Sequence, residues 1–419
     1  MMNPSHSSFL SSRETAGSLF RLFHLVFHLA RAEAGWAVSF RSVGQISELT
    51  RLAFEDMEVA ARICERLGEI PGGWRRKRPE AALARLLAQI SAAPSPEAFW
   101  TGVFEVLKPA LVQACVRHHE STHAVMDSQS VEALRAAWNT QGEQLDRHEA
   151  ATDLLREKAD GEALRAWLGH LRGLIRAAGG VLGGDVPEPS TGSDYPAHEV
   201  SPVMVLEPGQ VQRWHFEEAP PFGNAQDANY FLNTEIAAVP MLGRLLYLAE
   251  GMPYEFFFDT ARHMWDELRH FRMGRMRMVE LGLDPRRYAI PVGHYNAHAT
   301  VSPLESYCQL VLIGEATSFE YKLRWKKECV ELGDLKSGAQ QDFDIVDEQR
   351  HVGYGKKWIP VLRELVGEKR SVEEITADAD RKIQAAKLAG MRAAGEPIPE
   401  SLLRGARTAE IIGKGAASR

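Results

Sequence analysis

Along most of this 419-residue chain, apolar residues recur at three- and four-residue steps, the spacing that gathers them on one face of an α-helix. The first region, about residues 15–178, carries several such stretches; VGQISELTRLAFEDMEVAARICERLGEI and EALRAWLGHLRGLIRAA are the clearest. They break at PGGWRRKRP and AAPSPEAF, where Pro and Gly end helices. Residues 178–202 turn rich in Gly, Pro and Ser and read as a linker. VMVLEPGQVQRWHFEEAPPFG then reads as extended, with room for one short hairpin. From Asn224 the helical period returns and predicts four long helices: 225–250, stopped by Gly251 and Pro253; 254–282, stopped by GLDP; 303–332, stopped by Gly333; and 337–366, stopped by Gly367. The long connection DPRRYAIPVGHYNAHATVSP lies between the second and third, as a four-helix bundle with one crossover requires. A last helix at 371–394 precedes a tail, GKGAASR, expected to be mobile.

The predicted chain is all-α, in four parts. Residues 1–177 form an N-terminal helical domain, 178–223 a linker and extended segment, 224–367 a four-helix bundle, and 368–419 a last helix and tail.

Composition narrows the class. Hydrophobic residues make up 45% and charged residues 25%, ordinary for a globular protein with a sizeable core. The net charge of -7 gives no reason to expect a nucleic-acid partner. Cys64, Cys115, Cys308 and Cys329 are far apart with no C-x-x-C pair, which argues against a disulfide framework or thiolate metal site and fits a reducing, cytoplasmic setting. The start lacks a clean signal peptide, its apolar run being interrupted by His24 and His28. No run of about 18–20 apolar residues is present to cross a membrane.

The chemistry is carried by a repeat. DELRHF spans Asp266–Phe271 and DEQRHV spans Asp347–Val352, so D-E-x-R-H occurs twice on predicted helices. In E-x-x-H the carboxylate and imidazole share a helix face one turn apart and can reach one metal together. ESTH, Glu120–His123, is a third E-x-x-H and an internal control. The two interesting copies each have a Glu on the preceding predicted helix: Glu235 lies 32 residues before Glu267, and Glu315 lies 33 before Glu348. The same step back from Glu120 lands on Ala88 or Leu87. Four carboxylates facing a bundle core would be costly to bury unpaired, and two divalent cations would neutralise them. Glu235, Glu267, His270, Glu315, Glu348 and His351 are thus the candidate metal ligands, suited to two iron or manganese ions.

This doubled D-E-x-R-H with its two upstream glutamates resembles the ferritin-like diiron-carboxylate superfamily. Its relatives include monooxygenase hydroxylase subunits, the small subunit of ribonucleotide reductase and ferritin-like tRNA hydroxylases. The resemblance covers about residues 225–366. It implies a ferritin-like four-helix bundle holding two iron ions, with a manganese/iron pair as the alternative. It implies that Asp266 hydrogen-bonds His351 and Asp347 hydrogen-bonds His270, and that Arg269 and Arg350 neutralise buried carboxylates. Glu235, Glu267 and His270 would hold one metal; Glu315, Glu348 and His351 the other. Two family features are missing. The Tyr that radical-generating subunits place four residues after a His ligand is Gly274 here, and Gly355 in the second copy. The Thr that many monooxygenases place four residues after the third-helix Glu is Phe319, with Thr317 and Ser318 nearby; Glu235, Glu315, Phe319 and Thr317 are the positions expected to act in catalysis. Gly274 and Gly355 could leave space for substrate, and Pro240 could kink the first helix toward it.

Blander readings apply elsewhere. Glu320 is a rival to Glu315, but five residues on it faces elsewhere on the helix. His294 and His298 read as exposed loop histidines. WRRKR at 74–78 reads as a solvated loop, and His118, His119, Glu120 and His123 lack a second carboxylate-bearing helix. The N-terminal region shows no full ligand set and is assigned a scaffolding or substrate-covering role.

The functional expectation is a cytoplasmic non-haem dinuclear iron (or Mn/Fe) oxygenase that uses O2 to hydroxylate or N-oxygenate a small organic substrate. Electrons would come from an external reductase or ferredoxin, since the chain has neither a C-x-x-C nor a G-x-G-x-x-G motif. A homodimer is left open. The alternatives are a ferroxidase or iron-handling protein with no organic substrate, and a non-catalytic helical binding protein.

Overall fold

The computed structural model describes residues 9–190, 192–215, 224–400 and 402. The predicted tail GKGAASR and the end of the predicted extended segment, residues 216–223, lie outside them. The architecture is all-α, with N-terminal helices followed by a region of long helices. Two compact units divide the chain: Met1–Trp36 with Arg51–Glu199, and Ala37–Thr50 with Val200–Arg419.

Helices α1 (Ser12–Trp36), α2 (Val43–Glu69), α3 (Ala81–Gln89), α4 (Pro96–Gly102), α5 (Lys108–Glu120), α6 (Ser128–Lys158) and α7 (Gly161–Ala177) come first. A π-helical turn, Val103–Leu107, joins α4 to α5. The resulting rod, Pro96–Glu120, is long and apolar enough to cross a membrane, which the sequence reading did not anticipate. Two-thirds of its apolar window is buried inside the protein, which marks it as a core helix. At its end the control motif comes apart. Glu120 closes α5, Ser121 caps it, and His123 sits in the following turn, so this pair shares no helix face.

The Gly/Pro/Ser-rich stretch is no free linker. Gln89 clamps Tyr195, its amide nitrogen donating to the Tyr195 carbonyl at 3.0 Å and its oxygen accepting from the Tyr195 N–H at 2.8 Å. The Tyr195 ring packs edge-on against Trp167. Low helix propensity kept this segment from coiling but not from packing.

Within the same unit His24, His118 and His148 are buried, and burial pushes each imidazole down to about 4. The unfolded chain, with His near 6.5, therefore binds more protons between those two pH values. The stability these groups lend is full above about pH 6.5 and is lost as pH falls toward 4. At pH 5 each should cost about 1–2 kcal/mol. We expect His118→Phe to melt with a shallower dependence on pH between 7 and 5 than the parent; parallel curves would contradict the assignment.

The second unit holds α8 (Asn224–Thr234), α9 (Val239–Leu248), α10 (Tyr254–Glu280), α11 (Val292–His298), α12 (Pro303–Gln309), α13 (Phe319–Glu331), α14 (Leu335–Leu365) and α15 (Val372–Ala394). The predicted 254–282, 337–366 and 371–394 helices are α10, α14 and α15. The other two predicted helices are interrupted. Residues 225–250 form α8 and α9, separated by a 3-10 turn at Glu235–Ala237. Pro240 does not kink a continuous helix; it stands at the start of α9, where its missing N–H costs no hydrogen bond. Residues 303–332 form α12 and α13, separated by a π-helical turn at Leu310–Glu315. Ser302 and Glu305 start α12 with a reciprocal capping box.

α10 packs on α8, α9 and α14, while α13 packs on α14 and back on α8. The four rods so enclose one core, with Ile236, Met264, Leu268, Phe271 and Val311 buried in it. The expected hairpin is absent among the described residues. Val211–Gln212 (β1) instead pairs in parallel with Ala289–Ile290 (β2), a bridge into the crossover. That crossover also contains α11, so His298 is buried rather than exposed in a loop, its Nδ1 lying 2.9 Å from the Ser306 hydroxyl.

Candidate metal centre

Two of the helix irregularities sit where the chemistry is. Glu235 opens the 3-10 turn and Glu315 closes the π turn. Each break re-aims one carboxylate relative to a regular helix. On the two unbroken rods, α10 and α14, the D-E-x-R-H repeats face one another.

The side chains gather into two groups. His263, Glu267, Glu315 and His351 form one; Glu235, His270, Asp344 and Glu348 form the other. In each group the donor atoms all lie within 4.8 Å of one another. Among the described residues no other group of three or more His, Cys, Asp or Glu is placed to hold a metal. All six sequence-predicted ligands are therefore brought together, but in a different grouping. Glu267 stands with Glu315 and His351, and Glu348 with Glu235 and His270, so the Glu and His of each E-x-x-H belong to different groups. The reason is geometric. Three residues of helix rise about 4.5 Å, whereas the facing helix is closer: His351 Nδ1 is 3.3 Å from Glu267 Oε1 but 3.8 Å from Glu348 Oε2. The pairing of 263 and 267 with 351, and of 270 with 344 and 348, also means that α10 and α14 run antiparallel.

His263 and Asp344 were missed from sequence. His263 Nε2 is 2.8 Å from Glu315 Oε1 and 3.5 Å from Glu267 Oε1, and its ring stacks on His351 at 3.7 Å. Asp344 Oδ1 is 3.2 Å from His270 Nδ1. A signal was present. The repeat is longer than D-E-x-R-H: HMWDELRH and DIVDEQRH both begin with a metal-type ligand four residues before the Glu, one turn back on the same face.

Lys322 was also missed. It is fully buried, and its Nζ lies 2.6 Å from Glu348 Oε1, 2.9 Å from Asp344 and 3.2 Å from Glu235 Oε1. Nothing near it in the sequence marks it out, because the carboxylates it meets come from two other helices.

Behind the imidazoles stand the repeat aspartates. His351 Nε2 is 3.4 Å from Asp266 Oδ2, and His270 Nε2 is 3.2 Å from Asp347 Oδ2. An Nε2–H donated outward leaves each Nδ1 lone pair facing the carboxylates. Arg269 bonds both Asp266 (2.7 Å) and Asp347, and Arg350 bonds Asp347 at 3.3 Å. The remaining expected residues lie aside. Thr317 is exposed, its hydroxyl spent on the Ile313 carbonyl at 2.7 Å; Phe319 is half-buried at the start of α13; and Glu320 is exposed.

Nor do the glycines open a cavity. A Cβ on Gly274 would lie 2.5 Å from the Asn229 carbonyl oxygen and 2.6 Å from the Asn233 nitrogen, and one on Gly355 would lie 2.4 Å from Val311 Cγ2. Both positions let neighbouring rods approach closely.

Protonation follows burial and company. Burial pushes Glu235 and Glu315 up to about 7, against the pull of Lys322 and His263 respectively. Burial also raises Glu267, but His263 and His351 outweigh it and hold that carboxyl well below the usual range. Burial works against charge on His270 and His351, yet the surrounding carboxylates and outer aspartates raise both well above an ordinary imidazole. These protons now serve where a harder cation could. The donor set fits metal on a second ground. Glu235 Oε2, His270 Nδ1 and Glu348 Oε2, like Glu267 Oε1, Glu315 Oε2 and His351 Nδ1, are buried with no hydrogen bond to a residue outside the two groups, and within them His270 Nδ1 lies 3.0 Å from Glu235 Oε2. Buried polar atoms are seldom left so, and here all six face the two groups.

A family described as "Protein of unknown function (DUF455)" matches residues 157–387, more than half of the chain. Neither the curated proteins nor the solved structures searched contain a match.

Proposed function

We propose that this chain, which belongs to the DUF455 family, is a dinuclear-metal oxidoreductase of ferritin-like type that uses O2 to hydroxylate or N-oxygenate a small organic substrate. The observation that carries this is the crossed pair of buried groups, each with a Glu and a four-residues-earlier ligand from one rod, a Glu from a helix break, and a His from the facing rod. His263, Glu267, Glu315 and His351 would hold one metal, and Glu235, His270, Asp344 and Glu348 the other. Oxygen and nitrogen donors in this mix suit iron, or manganese with iron. Bound iron would supply the electrons and the O2-binding position that no side chain here can provide.

The protein's own part is positional. Asp266 and Asp347 hold the His351 and His270 tautomers, and Arg269 ties the two aspartates together, so both imidazoles stay aimed inward. The surrounding apolar core keeps water from the donors and would strengthen their attraction for a bound cation. Electrons would be delivered by a separate reductase or ferredoxin.

A second reading, iron oxidation without an organic substrate, is favoured by the close packing at Gly274 and Gly355, which fills the space expected for substrate. One experiment separates them. Ferrous-loaded protein with a chemical reductant and O2 is offered a panel of small amines, phenols and alkyl substrates, with products followed by mass spectrometry. The oxygenase reading expects an oxygen-containing product absent from a free-iron control. O2 uptake that ends in ferric product alone supports the second reading, and no uptake above the control overturns both.

A further inference from the structure

Resting on the two-metal reading, we propose that the groups load unequally. The His263–Glu267–Glu315–His351 group takes the first divalent cation, and in the other group Lys322 is a resident cation that makes the second metal bind weakly.

The two groups share a plan but not their charge. Each has one His from the facing rod and three further donors. Only the second has an ammonium inside it, bonded to three of its four candidate ligands, Glu235, Asp344 and Glu348. The first has an extra imidazole, His263, in the place where the second has Asp344. A divalent ion entering the second group meets a like charge on those same carboxylates, at short range and away from water. In the first group it meets two imidazoles and two glutamates with no fixed cation bonded to them.

The same chain shows what a buried lysine does when no metal is in question. In the N-terminal unit Lys108 is fully buried, with Asp56 at 2.7 Å, Glu33 at 3.1 Å and the Gln144 side-chain oxygen at 2.7 Å. That group has no place among the candidate metal sites; the lysine is the cation that faces both of its carboxylates. Lys108 directly follows the π turn Val103–Leu107, whereas Lys322 lies within α13, beyond the π turn Leu310–Glu315.

The second group differs from that precedent by its third carboxylate and its imidazole. Lys322 takes Glu235 Oε1 and Glu348 Oε1 and leaves Glu235 Oε2, Glu348 Oε2 and His270 Nδ1 to one another's company, His270 Nδ1 lying 3.0 Å from Glu235 Oε2. Five carboxylates (Glu235, Glu267, Glu315, Asp344, Glu348) balance two divalent ions and one ammonium, so both metals and the lysine can be held together. The cost of the lysine falls on one position only. A centre built this way accepts one ion at limiting metal, and two different ions when two are offered in turn.

The test is a titration of metal-free, full-length protein with Mn(II), read by electron paramagnetic resonance and by elemental analysis after desalting. The wild type should first bind one Mn with the hyperfine pattern of an isolated ion, and a second with at least tenfold weaker affinity. Glu315→Gln should abolish the first event, and Lys322→Met should tighten the second at least tenfold, so that a spin-coupled pair forms at low Mn. Two Mn of equal affinity in the wild type would overturn the proposal without touching the two-metal reading, and need no variant. First binding that survives Glu315→Gln but is lost in Glu235→Gln would overturn it by reversing the order. No Mn bound by the wild type would overturn the two-metal reading itself.

Discussion

Replacing Glu267 and Glu348 together by alanine is expected to take bound metal from about two per chain to a trace in protein purified from iron-supplemented cells. Each of these carboxylates belongs to one of the two groups. Glu267 Oε1 faces both His263 (3.5 Å) and His351 (3.3 Å), and Glu348 reaches Lys322 while also lying 3.8 Å from His351. Each group would be left with three donors and one carboxylate fewer. The helices should survive, because alanine favours α-helix and two buried negative charges disappear with the metals they would balance. The melting temperature of the variant should not respond to a chelator, whereas that of the wild type should fall, since ligand bound only to the folded state stabilises by mass action. Elemental analysis with chelator-dependent melting checks both. Metal retained at the wild-type level would place the ions elsewhere.

The second large effect is on stability. Gly274→Ala is expected to destabilise the second unit by about 1–3 kcal/mol, read as a lower unfolding midpoint in urea. The new Cβ would lie 2.5–2.7 Å from the Asn229 oxygen, the Asn233 nitrogen and Leu232 Cβ. Backbone atoms inside α8 cannot swing aside, so α8 and α10 must separate. Since α8 leads into the turn that carries Glu235, metal affinity in the second group should weaken as well. Gly355→Ala should cost less, because the atoms it meets belong to the Val311 side chain, which can adjust. If Gly274→Ala were neutral, or Gly355→Ala the more damaging, the close-packing account of these positions would be wrong.

How far was this legible in the sequence? α10, α14 and α15 were, because long periodic stretches with caps and Gly stops leave little choice of structure. So was the meeting of the six candidate ligands, because a metal-type pair repeated on two helices, each with a Glu at nearly the same distance behind it, leaves a trace in spacing. His263 and Asp344 left the same kind of trace, one turn before Glu267 and Glu348, and were overlooked. The breaks at Glu235 and in Leu310–Glu315 left none: LVLIGE reads as ordinary helix, and a π turn there depends on what the neighbouring rods accommodate. The segment around Tyr195 misled in the opposite direction, since Gly and Pro report that a chain will not coil, not that it will stay unpacked.

What the sequence by itself determined, then, is the helical course of α10, α14 and α15 and the identity of most candidate donors, because helical period and ligand type are local properties. Tertiary structure decided which donors meet. Antiparallel rods set Glu267 against His351 and His270 against Glu348 rather than pairing each Glu with the His on its own helix. The same packing brought Lys322 under carboxylates from two other helices, and closed α8 onto Gly274 where sequence suggested a gap. Such contacts depend on distances across the core, and these are set only when the rods come together.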